Sequence, residues 1–105
     1  MTTVIDLDRE TVAAGLADGS LVIVDVREPH EFAAGHIPGS VSLPLSRFDP
    51  RELAAYEGRR IVFSCAAGVR SLQALMLSQA AGLDLAEHYR GGFKDWVASG
   101  GPVET

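Results

Sequence analysis

The chain is expected to fold as an α/β domain with a central, mainly parallel sheet flanked by helices on both faces. Three observations predict this. Apolar runs of strand length alternate with stretches of helical period along the chain, the order that βα units produce. One run, Leu21-Val22-Ile23-Val24, is unbroken and rich in β-branched residues, as a strand covered on both faces requires. Glycines close the helical stretches at Gly19, Gly35, Gly58, Gly82 and Gly100, where a chain turning back toward the sheet needs them. The 105 residues suffice for one core and are too few for two, so residues 1–105 are read as a single domain.

Leu7 to Ala17 carries Leu7, Val12, Ala13, Leu16 and Ala17 near helical period, with Asp6 or Asp8 as cap and Asp18-Gly19 as stop. Leu21 to Val26 is the central strand, with Asp25 near its C-terminal end. Pro29 to Ala34 makes one or two helical turns, and Ile37-Pro38-Gly39-Ser40 is a turn before a short strand, Val41-Ser42-Leu43. Asp49-Pro50-Arg51-Glu52 starts a helix that Gly58 ends. Ile61 to Ser64 is a second strand. A helix from Ser71 to Ala81 follows, with Leu72, Leu75, Met76 and Ala80 on one face. A strand falls at Leu85 to Tyr89. A last helix carries Phe93, Trp96 and Val97 at i, i+3, i+4 and stops at Gly100-Gly101-Pro102. Parallel strands joined by helices imply right-handed crossovers, and ligands in such folds bind beyond the carboxyl ends of the strands.

Composition removes several classes of function. A net charge of -5 with a single lysine, Lys94, argues against nucleic acid or an anionic membrane as the main partner, since both reward clustered cations. No apolar run approaches the roughly 20 residues of a membrane helix, and the first residues lack the pattern of an export signal. The expected compartment is the cytoplasm. Cys65 is the only cysteine, so no internal disulfide can form, and no His/Cys cluster has zinc spacing; neither a metal nor an organic cofactor is expected.

That cysteine stands where a strand gives way to a helix. A thiol there faces the positive end of the helix dipole and backbone N–H groups without intrahelical partners, a setting that lowers its pKa and yields a nucleophile at neutral pH. The small residues Ala66, Ala67 and Gly68 allow the loop to curl into a nest of N–H donors, with Gly68 free to take positive φ. Arg70 adds a fork of donors for an anion over the sulfur, and Ser71 can place a hydroxyl near it while capping the helix. Asp25 and Arg27 are read as supports rather than reactants, with Arg70 a possible partner for Asp25. His36 is expected to bond within its turn, and His30 and His88 to lie at the surface. No histidine is assigned as general base, because a stabilised thiolate needs none.

Four segments resemble the rhodanese-like sulfurtransferase family in order along the chain. Asp25-Val26-Arg27-Glu28 is similar to its DVR motif and Gly35-His36-Ile37-Pro38-Gly39-Ser40 to its GHIPGA element. Cys65 to Ser71 resembles its six-residue active loop, and Gly91-Gly92-Phe93 with Trp96 its closing motif. The resemblance implies a persulfide relay. The Cys65 thiolate takes a sulfane sulfur from a donor such as thiosulfate or a protein persulfide, residues 66 to 71 hold the outer sulfur, and a nucleophilic acceptor such as a thiol or cyanide removes it. Two other readings stand beside it. One is a sulfur carrier or regulatory protein-binding module with little small-molecule turnover. The other is a cysteine-dependent phosphatase or arsenate reductase, whose loop is Cys-x5-Arg, one residue longer than the Cys-x4-Arg found here.

Overall fold

In the computed structural model, which describes residues 3–105, five parallel strands form one sheet. They are β1 (Ile5–Leu7), β2 (Leu21–Asp25), β3 (Val41–Ser42), β4 (Arg60–Ser64) and β5 (Glu87–Tyr89), in the order β1-β5-β4-β2-β3. The helices are α1 (Arg9–Ala17), α2 (Pro29–Ala34), α3 (Val69–Ala80) and α4 (Gly92–Ala98). Among the described residues no helix is long and apolar enough to cross a membrane.

Side chains alternate across the two central strands and divide the core into two layers. Val22 and Val24 of β2 and Ile61 and Phe63 of β4 pack with Leu53 and with Ala74 and Leu75 of α3. Leu21 and Ile23 of β2 and Val62 of β4 pack on the other side with Val12 of α1 and Trp96 of α4. Helices cover both faces, which is why all five residues of β2 are buried and why its sequence is a continuous apolar run.

The elements depart from expectation in four places. The stretch beginning at Leu7 is not all helix: Ile5–Leu7 forms edge strand β1, Asp8 caps α1 by accepting the Thr11 N–H at 2.9 Å, and the helix begins at Arg9. The Asp49 cap is present, but Pro50–Tyr56 is a 3₁₀ helix; buried Leu53 and half-buried Tyr56 are three residues apart, the repeat of that tighter winding. Helix α3 begins at Val69, so Ser71 lies inside its first turn and does not cap it. Its buried row is Ser71, Ala74, Leu75 and Ser78, while Met76 and Ala80 are exposed. Small side chains let α3 approach the sheet, and Ser78 satisfies itself by donating to the Ala74 carbonyl at 2.9 Å. In α4, Trp96 is buried but Val97 is half exposed.

Candidate active site

Strand β4 delivers the chain to Cys65 at its C-terminal end, and residues 65–68 turn it into α3. The turn depends on Gly68, whose φ of 90° is open to glycine and strained for other residues. A Cβ at Gly68 would also lie 2.5 Å from the Arg90 carbonyl oxygen. The sulfur sits under the loop: Cys65 is 1% exposed, its Sγ accepts the Gly68 N–H at 3.1 Å and lies 3.5 Å from the Ser71 hydroxyl. Burial is the largest single influence and pushes the Cys65 thiol up. The Ser71 hydroxyl and the N–H groups of Ser71, Ala67 and Gly68 together outweigh it, leaving the thiol below its ordinary value. The donors around the sulfur are therefore mainly backbone, as a nest requires.

Helix α4 holds the loop from the other side. Its Phe93 N–H donates to the Cys65 carbonyl at 2.8 Å and its Lys94 N–H to the Ala66 carbonyl at 3.1 Å. This close approach explains the second of the paired glycines: Gly92 has φ 66°, and a Cβ there would lie 2.5 and 2.6 Å from those two carbonyl oxygens. With its carbonyls turned toward α4, the loop is free to turn N–H groups toward the sulfur.

The charged residues pair differently from the sequence expectation. Arg70 does not tie to Asp25; it forms a two-pronged ion pair with Glu31 of α2 at 2.6 and 3.1 Å. That hydrogen bonding is the main reason the Glu31 carboxyl is held down at about 2, and the Arg70 pKa is raised in turn. Asp25, at the end of β2 and in register with Ser64, instead pairs with Arg27 at 2.8 Å, both residues being buried. Arg27 also donates to the Gly35 carbonyl at 2.8 Å and lies 4.2 Å over the Phe93 ring. One guanidinium thus joins the end of β2, the turn after α2 and α4.

His36 accepts its expected local role, with Nδ1 2.8 Å from the Phe32 carbonyl and the ring stacked on Phe32; His30 is exposed. His88 is not at the surface. It is 3% exposed, with Nδ1 2.9 Å from the Ser71 hydroxyl and Nε2 2.7 Å from Asp6, which also pairs with Arg90 at 3.1 Å. Glu31, Asp6 and His88 are the site residues that sequence reasoning missed. The rule that ligands meet the carboxyl ends of strands would have flagged His88, since it lies on the strand leading into Gly91-Gly92.

A cleft of about 440 Å³ beside the loop is lined by Asp6, Gly68, Val69, Leu72, His88 and Arg90. A second, of about 340 Å³ and lined by Leu53, Tyr56, Ile61 and Leu85, contains none of these reactive groups. The described residues include no cluster of His, Cys, Asp and Glu arranged to hold a metal ion.

Comparisons with known proteins identify the family. The family matched is the rhodanese-like domain, over residues 8–99. The human thiosulfate:glutathione sulfurtransferase is 34% identical over 96 residues, covering 78% of this chain and 84% of that protein. An uncharacterized protein of Synechocystis is 41% identical over 84 residues and 80% of this chain, but the chain spans only 47% of its length. A solved structure from Rhodopseudomonas palustris, of unknown function and described as a possible tyrosine phosphatase, superposes with a TM-score of 0.81 at 33% identity, covering 96% of this chain and 85% of that one. With a buried, backbone-cradled cysteine in a Cys-x4-Arg loop and a family match over most of its length, the chain belongs to the rhodanese-like domain family.

Proposed function

We propose that this protein is a rhodanese-type sulfurtransferase, with Cys65 carrying a sulfane sulfur as a persulfide between a donor and a nucleophilic acceptor. The observation that carries the reading is the cradle: the sulfur lies beneath a short loop whose Ala67, Gly68 and Ser71 N–H groups lower its pKa. In the first half-reaction the thiolate attacks the outer sulfur of the donor, forming the Cys65 S–S bond as the donor's own bond breaks. Sulfite departs if the donor is thiosulfate, a thiolate if it is a persulfide. The outer sulfur carries the negative charge, and N–H groups of residues 66–71 stabilise it. In the second half-reaction a thiol or cyanide attacks that sulfur and the Cys65 thiolate is released.

The Arg70–Glu31 pair bears on the donor. A dianion such as thiosulfate must share Arg70 with a carboxylate that already holds two of its N–H groups, whereas a persulfide asks less of that charge. This favours a persulfide as the working donor, and with it the second reading, a sulfur carrier that turns over slowly with small molecules. A lone unpaired thiol suits a reducing compartment, and we assign the protein to the cytoplasm on that ground. Phosphatase chemistry is disfavoured by the four-residue spacing between Cys65 and Arg70, which gives fewer N–H groups than a tetrahedral phosphate requires.

The test is intact-protein mass spectrometry after incubation with thiosulfate or with glutathione persulfide, alongside thiocyanate formation from cyanide and hydrolysis of p-nitrophenyl phosphate. Wild type should gain one sulfur, roughly 32 Da, reversibly on reduction, and Cys65→Ser should gain none. Sulfur transfer surviving in Cys65→Ser would overturn the assignment. Phosphate release without persulfide would favour the rival chemistry.

A further inference from the structure

Behind the sulfur runs a chain of side chains that the sulfur-transfer reading does not use: Cys65 Sγ, the Ser71 hydroxyl, the His88 ring and the Asp6 carboxylate. It joins the loop after β4, the first turn of α3, β5 and β1. Counting its protons restricts its states. The Asp6 carboxyl is held below its ordinary value, chiefly by the hydrogen bond from His88, and so has no proton to give. With Nε2 2.7 Å from that carboxylate, Nε2 must carry a hydrogen. The Ser71 hydroxyl has a single hydrogen and, among the described residues, two partners, Sγ and Nδ1 of His88.

Two arrangements keep both the Sγ–Ser71 and the Ser71–His88 hydrogen bonds. In one, the Cys65 S–H donates to Ser71, Ser71 donates to Nδ1, and His88 is neutral. In the other, Nδ1–H donates to Ser71, Ser71 donates to a thiolate, and His88 carries a positive charge. We propose that His88, oriented by Asp6, takes the proton of Cys65 through the Ser71 hydroxyl, so that the nucleophile forms as a thiolate–imidazolium pair across an intervening serine. The step balances without a co-reactant: the S–H bond breaks as a Ser71 O–H forms, and the original Ser71 O–H breaks as Nδ1–H forms. His88 and Asp6 are positioning residues, since neither touches the sulfur.

The surroundings fit a charge at this place. His88 is 3% exposed, so an imidazolium there depends on its partners, and Asp6 supplies the compensating charge directly. Arg90 shares Asp6 from the other side at 3.1 Å, and Arg70, itself paired with Glu31, interacts with Cys65 through its charge. Strand β4 presents apolar Phe63 opposite His88.

The inference concerns how Cys65 loses its proton, and its test uses no sulfur donor, so it can fail while the sulfur-transfer reading stands, and the reverse. The rate of Cys65 alkylation by iodoacetamide is measured against pH for wild type, His88→Gln and Asp6→Asn. The inflection should move up by about one pH unit or more in His88→Gln, making alkylation roughly tenfold slower below it, and should move the same way in Asp6→Asn. In parallel, ¹⁵N NMR of the wild-type His88 ring should show both nitrogens protonated where Cys65 reacts as thiolate, and Cys65→Ser should lose that protonation at lower pH. Unchanged inflections in both variants, or a neutral His88 ring across the pH range of thiolate reactivity, would overturn the proposal. If His88→Gln does not fold, the wild-type spectrum decides alone.

Discussion

Glu31 shows how far a residue's chemistry can sit from its place in the sequence. Its partner Arg70 is 39 positions away, so nothing local to Pro29-His30-Glu31 announced an ion pair at the reactive loop. The pair has a definite acid signature. The Glu31 carboxyl is held at about 2 in the folded protein against an ordinary 4.5, so its contribution to stability is full above 4.5 and fades as pH falls toward 2. Glu31→Gln should therefore unfold at lower urea than wild type at neutral pH, with the gap closing through that acid window; a gap constant with pH would contradict the assignment. Asp25 gives a larger effect. Asp25→Asn leaves the Arg27 guanidinium buried beside a neutral amide, and a loss of about 3–5 kcal/mol is expected in urea unfolding. The placement of Cys65 between a strand and a helix was readable from the sequence because its signal is local: a strand, a lone thiol, small residues and then a helix. His88 was not, because Asp6 lies 82 positions before it.

At the level of elements, the loop and α4 act as one unit. Gly92→Ala would force a Cβ against the Cys65 and Ala66 carbonyls at positive φ, and we expect a cost of about 2–4 kcal/mol together with slower Cys65 alkylation. Ordinary stability and reactivity in that variant would show that the clamp is dispensable. Loop size is open to the same kind of test. One glycine inserted between Gly68 and Val69 makes the loop Cys-x5-Arg and moves the N–H donors off the sulfur; a displacement of about 1 Å should slow persulfide loading on the order of 100-fold. Loading at the wild-type rate in a folded insertion variant would defeat the cradle account. The Gly-Gly pair was recognisable as a motif, yet the need for Gly92 came only from seeing which carbonyls it faces. Strand β1 escaped notice for a different reason: Ile5-Asp6-Leu7 is three residues with a charge in the middle, and an edge strand needs no longer apolar run.

For the molecule as a whole, the sheet order β1-β5-β4-β2-β3 places the longest strands, β2 and β4, side by side and leaves three-residue β1 and two-residue β3 at the edges. Amide hydrogen exchange should be slowest in β2 and β4 and fastest at the edges; protection of β1 equal to that of β2 would contradict this ordering. The fold class was legible because β2 and β4 are buried on both faces and their composition says so, whereas the strand order is written in no local pattern. That order has a bearing on how the protein is made. Of the five strands, β1 is synthesised before the others and pairs in the sheet with β5, synthesised after the other four, and β5 is followed directly by the helix that clamps the Cys65 loop. A nascent chain that has reached only residue 85 already carries Cys65, but it lacks the Phe93 and Lys94 amides and the His88 ring, and β1 has no strand to join. During translation the thiol is present well before its chemistry is, and the completed cradle marks a chain that has been made through α4.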